Sequence, residues 1–327
     1  MKATKTMKAV VIDGITPASN VHLTDAPVPR VRPGWVLVRV KAFGLNHSEQ
    51  ILRLEEITEG YIQKPVIPGI ECVGVLEDPS DTGWQKGQAV VALMGGMGRS
   101  FDGSYAEYAL LPAHHVFPIE THLSWHELAA IPETYFTAWG SLFESLHLQA
   151  GDRLLVRGAT CALGYAAVQL AKALGATVVA TTHKREKLPL LEGADIALLD
   201  DGTLAGRAEL ADVHKALDLV GPRVLRDTLR AIAPTGYVCH TGVLGGQYVL
   251  DDFDPIKDIP NGVYLTGFFS NTPTPAVIND LFAFLAQHDL HPRIGASYGF
   301  AHIQDACVAL DEGKVNGKIV VTVDEDL

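Results

Sequence analysis

The chain has 327 residues, 47% apolar and 20% charged, which is the composition of a globular protein long enough for two domains with separate cores. Lys and Arg total 26 against 38 Asp and Glu, and the net charge of −12 argues against a nucleic-acid or anionic-membrane surface. No apolar run approaches membrane-span length, the N-terminus lacks a signal-peptide core, and the four cysteines, Cys72, Cys161, Cys239 and Cys307, form no Cys-x-x-Cys pair. A reduced, cytoplasmic protein is therefore expected. Met7-Lys8-Ala9 repeats Met1-Lys2-Ala3, so Met7 reads as an alternative start.

Residues 8–120 read as β-rich. Val36–Ala42, Glu71–Leu76 and Ala89–Leu93 are strands, punctuated at Pro33-Gly34, Pro68-Gly69 and Gly83-Trp84. Near residue 120 helix formers take over, among them Leu128, Ile131, Phe136, Trp139 and Leu142. From Asp152 onward strands and helices alternate, which implies a parallel sheet.

Residues 154–188 carry the most information. Leu154-Leu155-Val156 is an apolar run suited to a buried parallel strand. A turn of mostly small residues follows: Gly158, Ala159, Thr160, Cys161, Ala162, Leu163 and Gly164. Ala166, Val168, Leu170, Ala171 and Leu174 recur at helical spacing, and Gly175 ends the helix. Thr177–Thr181 is a second strand. Such a βαβ unit binds a dinucleotide by setting its pyrophosphate against backbone N–H groups at the helix N-terminus. Counting back from Gly164, the fingerprint glycine positions hold Ala159 and Cys161, and a side chain at Cys161 narrows the approach to phosphate.

The next turn selects the dinucleotide. An NAD site places Asp or Glu at the strand end for the ribose 2′-hydroxyl. Here the turn reads Thr181-Thr182-His183-Lys184-Arg185-Glu186-Lys187, with no acid at the strand end. Thr182, Lys184 and Arg185 are placed to hold a 2′-phosphate, so the expected cofactor is NADPH. Lys187 reads better as a solvated charge on the following helix. Further strands follow at Ala216–Val220, Gly236–His240, ending in Thr241-Gly242, and Val263–Phe269; a helix over 276–287 and a strand at Gly317–Val323 complete the chain.

This order of parts resembles the medium-chain dehydrogenase/reductase superfamily, in which a GroES-like β domain precedes a Rossmann domain and the C-terminal segment rejoins the first. The matching segments are Gly44–Glu49, Pro68–Gly74, Gly103–Tyr108, Thr137-Ala138-Trp139 and the turn and helix at 151–176. The resemblance implies an α/β fold with a GroES-like domain at 1–122 and 270–327 and a Rossmann domain at 123–269. Zinc-dependent members bind their catalytic metal through Cys, His and a later Cys. The corresponding positions here are Asn46, Ile70 and the Pro132-Glu133-Thr134 region, so no metal is expected. Residues 93–108 also lack the four cysteines of the structural-zinc lobe.

The chain thus resembles the zinc-independent branch, the quinone oxidoreductases and related enone reductases. Reduction of a conjugated carbonyl spreads charge over oxygen and carbon, so hydrogen-bond donors can suffice where alcohol oxidation needs a metal. Asn46, Tyr61 and Thr137 are the catalytic candidates, Asn46 being equally readable as a helix N-cap and Tyr61 as a packing residue. Asn46, Thr137, Thr241, Gly242, Phe268, Phe269 and Lys318 join the phosphate and ribose turns as cofactor candidates. Ser48 reads as a cap rather than a relay, and Glu71 as structural. The partner is a small electrophile. An enoyl-thioester reductase of the same fold and a non-enzymatic NADPH-binding protein remain open alternatives. A homodimer is expected through the apolar edge strand Val263–Phe269.

Overall fold

The computed structural model describes residues 5–323, which fall into two compact units. The first takes in the chain up to Glu133, Asn271–Leu285 and the residues from His291 onward; the second takes in Thr134–Ser270 with Ala286–Leu290. The first division falls after Glu133, later in the chain than the change of pattern near residue 120 and the expected boundary after 122. The Met1-Lys2-Ala3 copy of the repeated start lies outside the described residues.

The first unit is mostly antiparallel β, with one parallel pair, Ile294–Gly299 on Lys318–Thr322. A ribbon pairs β1 (Thr6–Ala9) with β2 (Thr24–Pro27). The main sheet uses β3 (Trp35–Leu45), β4 (Glu71–Asp78), β5 (Ala89–Leu93), β6 (Tyr108–Pro112) and β7 (Val116–Pro118). Its core forms around Phe43, which stacks on Tyr105 at 4.8 Å and meets the edge of Phe300 at 5.9 Å. Such pairs favour offset or edge-on packing over a face-to-face sandwich.

The second unit holds six parallel strands: β8 (Arg153–Arg157), β9 (Thr177–Thr182), β10 (Ile196–Leu199), β11 (Lys215–Asp218), β12 (Tyr237–His240) and β13 (Tyr264–Gly267). Their order across the sheet is β10-β9-β8-β11-β12-β13. The direction of progression reverses between β8 and β11, and ligands of open α/β sheets bind outside the strand ends at such a switch. The helix Ala162–Leu174 buries Ala166, Ala167, Leu170 and Ala171. It stops at Gly175, whose φ of 96° suits glycine and whose N–H donates back to the last turn.

After the helix Pro275–Gln287 the chain returns to the first unit as β14 (Ile294–Gly299) and β15 (Lys318–Thr322). β15 pairs antiparallel with β3, setting Val320 opposite Gly44 and Ile319 opposite Leu45. This register carries Lys318 to the end of β3, beside Asn46. Among the described residues no helix is long and apolar enough to cross a membrane.

Candidate functional site

The expected site residues fall into separate groups within the two units. In the second unit, β8 ends in Arg157 and the chain turns at Gly158, whose φ is 83°. A Cβ there would lie 3.0 Å from Val220 and 3.4 Å from Leu244, so the turn stays narrow. The Gly158 N–H donates to Thr181 Oγ1 at 3.1 Å, and the Ala159 N–H to the Thr181 carbonyl at 2.8 Å. Thr160 Oγ1 and Thr182 Oγ1 meet at 3.2 Å. The loop is therefore tied to the end of β9 at three successive residues.

Cys161 is the N-cap of the helix. Its Sγ accepts from the Gly164 N–H at 3.3 Å and lies 3.5 Å from the Gly158 carbonyl. The thiol is thus turned into the helix end, and the narrowing expected from this side chain takes the form of a cap. Burial pushes the thiol pKa up, against the pull of the first-turn N–H groups and of Lys187. A Cβ at Gly164 would lie 2.4 Å from the Ala159 carbonyl oxygen, so helix and strand exit close up only around glycine. Ala162 and Leu163 occupy the first helical turn, where backbone N–H groups have no intrahelical acceptor. These donors and the glycine-dependent close approach fit a dinucleotide pyrophosphate.

At the ribose turn Thr182 is buried, its hydroxyl spent on Thr160 and on the Lys184 N–H at 3.3 Å. Lys184 and Arg185 are exposed. Arg185–Leu191 winds as a 3-10 helix interrupted by Pro189. Lys187 is half-buried on this segment. Burial lowers its pKa, neighbouring Lys184 lowers it further, and its charge is felt at Cys161. Beneath this surface Arg157 is fully buried, donating to Asp200 at 2.7 and 3.0 Å, to Asp227 at 2.8 Å and to Thr228 at 2.9 Å. It fastens β8 to the chain leaving β10 and to the helix Pro222–Ala231.

Thr137, 5% exposed, sits on the helix Pro132–Trp139, which runs into a π-helical turn at Gly140–Ser145. Thr241 meets Ser141 Oγ at 2.9 Å, and the Thr241 and Gly242 N–H groups both donate to the Asp218 carbonyl. Phe268 packs edge-on against Phe136 at 5.7 Å, while Phe269 is 78% exposed.

In the first unit Asn46 opens the helix His47–Leu54, and its N–H donates to Glu49 Oε2 at 2.7 Å. Its side chain does something else. Nδ2 donates to Glu71 Oε1 at 2.9 Å, and Oδ1 accepts from Lys318 Nζ at 2.6 Å. Lys318 also pairs with Glu71 Oε1 at 2.6 Å, with both side chains essentially buried. Glu71 Oε2 accepts the Glu133 N–H at 2.8 Å. The ammonium fixes the orientation of the amide, because a flipped Asn46 would set Nδ2 against a cation. A Cβ at Gly44 would lie 2.2 Å from Lys318 Cε, so the ion pair occupies the space that glycine leaves. Glu49 accepts from the Ile70 N–H at 3.0 Å, and burial, reinforced by Glu71, pushes its carboxyl up to about 7.

These residues do not fit a divalent metal. Ile70 offers no donor, Asn46 is committed, and an ammonium sits on the Glu71 carboxylate. Among the described residues no three His, Cys, Asp or Glu side chains come together as a metal-ligand group. Tyr61 stands apart from Asn46. Its hydroxyl donates to Glu56 at 2.7 Å, a bond that pushes the phenol up to about 12. Arg99 binds both Glu56 oxygens and Ser48 Oγ, so Ser48 is engaged there rather than in a relay.

Known proteins share this architecture. Residues 32–121 match the alcohol dehydrogenase GroES-like domain, and residues 162–287 match the zinc-binding dehydrogenase domain. A zinc-type alcohol dehydrogenase-like protein of Schizosaccharomyces pombe is 26% identical over 97% of this chain and 99% of its own length. A quinone oxidoreductase of Pongo abelii is 34% identical over 52% of this chain and 51% of its own length. The crystal structure of an NAD-dependent alcohol dehydrogenase superposes with a TM-score of 0.84 at 26% identity, covering 97% of this chain and all of that one.

Proposed function

The chain belongs to the medium-chain dehydrogenase/reductase superfamily, and from that membership we propose that it is an NADPH-dependent reductase of a small conjugated carbonyl, a quinone or an α,β-unsaturated ketone, working without zinc. The observation that carries this reading is the buried Lys318–Glu71–Asn46 cluster, which stands where zinc-dependent relatives are expected to hold their metal. A conjugated acceptor disperses the negative charge of reduction, so fixed dipoles and a nearby cation serve where a simple alcohol needs a Lewis acid. The sequence shared with the quinone oxidoreductase supports the same acceptor class.

The nicotinamide cofactor, when bound, supplies the hydride. The N–H groups at the start of the helix Ala162–Leu174 would take its pyrophosphate, and Lys184 and Arg185 a 2′-phosphate. The turn offers no carboxylate at the strand end to compete for that position. Asn46, with Oδ1 held by Lys318 and Nδ2 by Glu71, is an amide of fixed orientation. The exposed apolar edge at β13, with Tyr264 54% exposed, supports a homodimer in which two such edges pair.

The test is NADPH consumption against quinones, enones, simple ketones, primary and secondary alcohols (with NADP+) and enoyl thioesters. Turnover of quinones or enones is expected. Turnover confined to simple alcohols and ketones overturns the reading, and turnover confined to long thioesters transfers it to an enoyl reductase.

A further inference from the structure

Resting on that reading, we infer that the π-helical turn Gly140–Ser145 positions the nicotinamide end of the cofactor site, with Gly140 as its decisive positioning residue. Isolated π-turns inside helical runs are uncommon and cluster at functional sites. This one makes three separate contacts with the chain leaving the last two strands of the parallel sheet. Ser141 Oγ lies 2.9 Å from Thr241 Oγ1, just beyond β12. Ser145 Oγ donates to the Gly267 carbonyl, the last residue of β13, at 3.4 Å. Gly140 receives the ring of Phe268, the next residue along. With the ribose turn after β9 and the phosphate loop after β8, a dinucleotide at the switch point would run its other half toward the exits on the β11-β12-β13 side, which is the side these contacts hold.

The fit at Gly140 is strict. A Cβ at this position would lie 2.0 Å from Phe268 Cζ, and the ring on that spot is also held by Phe136. A phenyl ring is rigid, so it can yield only by leaving the socket or by taking the backbone at 267–269 with it. Ser141 is itself anchored by donating to the Thr137 carbonyl at 2.7 Å, which joins Thr137 to the same assembly. No residue of the turn need touch the cofactor. It sets the backbone that does.

The experiment compares Gly140→Ala, Ser141→Ala and the double variant Gly140→Ala/Phe268→Ala with the wild type. The readouts are kcat and KM for NADPH and the affinity for adenosine 2′,5′-bisphosphate, which reports the adenine end alone. A misplacement of about 1 Å costs on the order of 100-fold. Gly140→Ala is therefore expected to lose about that much kcat while its affinity for the bisphosphate stays within about threefold. Removing the ring in the double variant restores about tenfold or more, because the atoms nearest the new Cβ all belong to that ring. Ser141→Ala, which adds no bulk and keeps the fold, is expected to lose about tenfold in kcat with the bisphosphate affinity unchanged. Wild-type kcat in both single variants overturns the inference, as does a parallel loss of bisphosphate affinity or a double variant as slow as Gly140→Ala. A wild-type protein that binds neither NADPH nor NADH overturns the functional reading and this inference together.

Discussion

Replacing Lys318 with Met removes one charge from a buried cluster and leaves its alkyl stem in place. In the native protein the ammonium lies 2.6 Å from Glu71 Oε1, with the two side chains 2% and 0% exposed. At an effective dielectric of about 20, charges that close attract by roughly 6 kcal/mol. Glu71 keeps its bonds from Asn46 Nδ2 and the Glu133 N–H, which offset part of the loss. The expected cost is then about 3–5 kcal/mol, the usual range when one partner of a buried pair is deleted. For a domain of this class, each kcal/mol moves Tm by about 2–4 °C, so a fall of about 6–20 °C is expected. Adding Glu71→Gln removes the stranded charge and should restore most of that fall. Urea and thermal unfolding at neutral pH, followed by near-ultraviolet circular dichroism, measure both variants. A Lys318→Met protein within about 1 kcal/mol of wild type refutes the reasoning, and so does a double variant no more stable than the single one.

Arg185→Ala is expected to weaken NADPH binding about ten- to a hundredfold and leave NADH nearly unchanged, because it removes one charge-assisted phosphate contact. Equal losses for both nucleotides by titration calorimetry would contradict the assignment. Glu49 makes stability depend on pH: burial raises its carboxyl from 4.5 to about 7, so the folded state holds the extra proton and stability falls as pH rises through that window, being fully present below 4.5. Glu49→Gln has no such proton to lose, and the wild-type advantage over it should shrink from about pH 5 to about pH 8; an advantage that stays constant removes Glu49 from this role. Light scattering at micromolar concentration should give the mass of a dimer, and a charge placed at Tyr264 should shift it toward monomer; a wild-type monomer counts against pairing through β13.

The strands and the phosphate loop were legible because their signals are local. Leu154-Leu155-Val156 is apolar because both faces of a parallel strand are buried, and Gly164 and Gly175 stand where a close approach and a positive φ exclude other residues. The cluster around Glu71 was not legible. The sequence reading makes Lys318 a cofactor candidate, but its pairing with Glu71 and Asn46 depends on the register of β15 on β3 and on the room that the missing side chain of Gly44 leaves. Two further facts depend on geometry finer than residue type. The Cys161 Sγ accepts from the Gly164 N–H and so caps its helix, and the chain after Lys184 winds as a 3-10 helix on which Lys187 is half-buried. The π-turn left one trace in the sequence, a glycine following Trp139 within a helical run, but nothing that linked it to Phe268. Arg157 ends β8, and its carboxylate partners at 200 and 227 come from distant segments that no local pattern joins to it.

The most direct test of the central claim measures zinc content and turnover on the same sample. Protein dialysed against a strong chelator should contain far less than one zinc per chain and should reduce quinones or enones with NADPH at an unchanged rate, with no gain when zinc is returned. Turnover that disappears with the metal and reappears in proportion to zinc bound would contradict it.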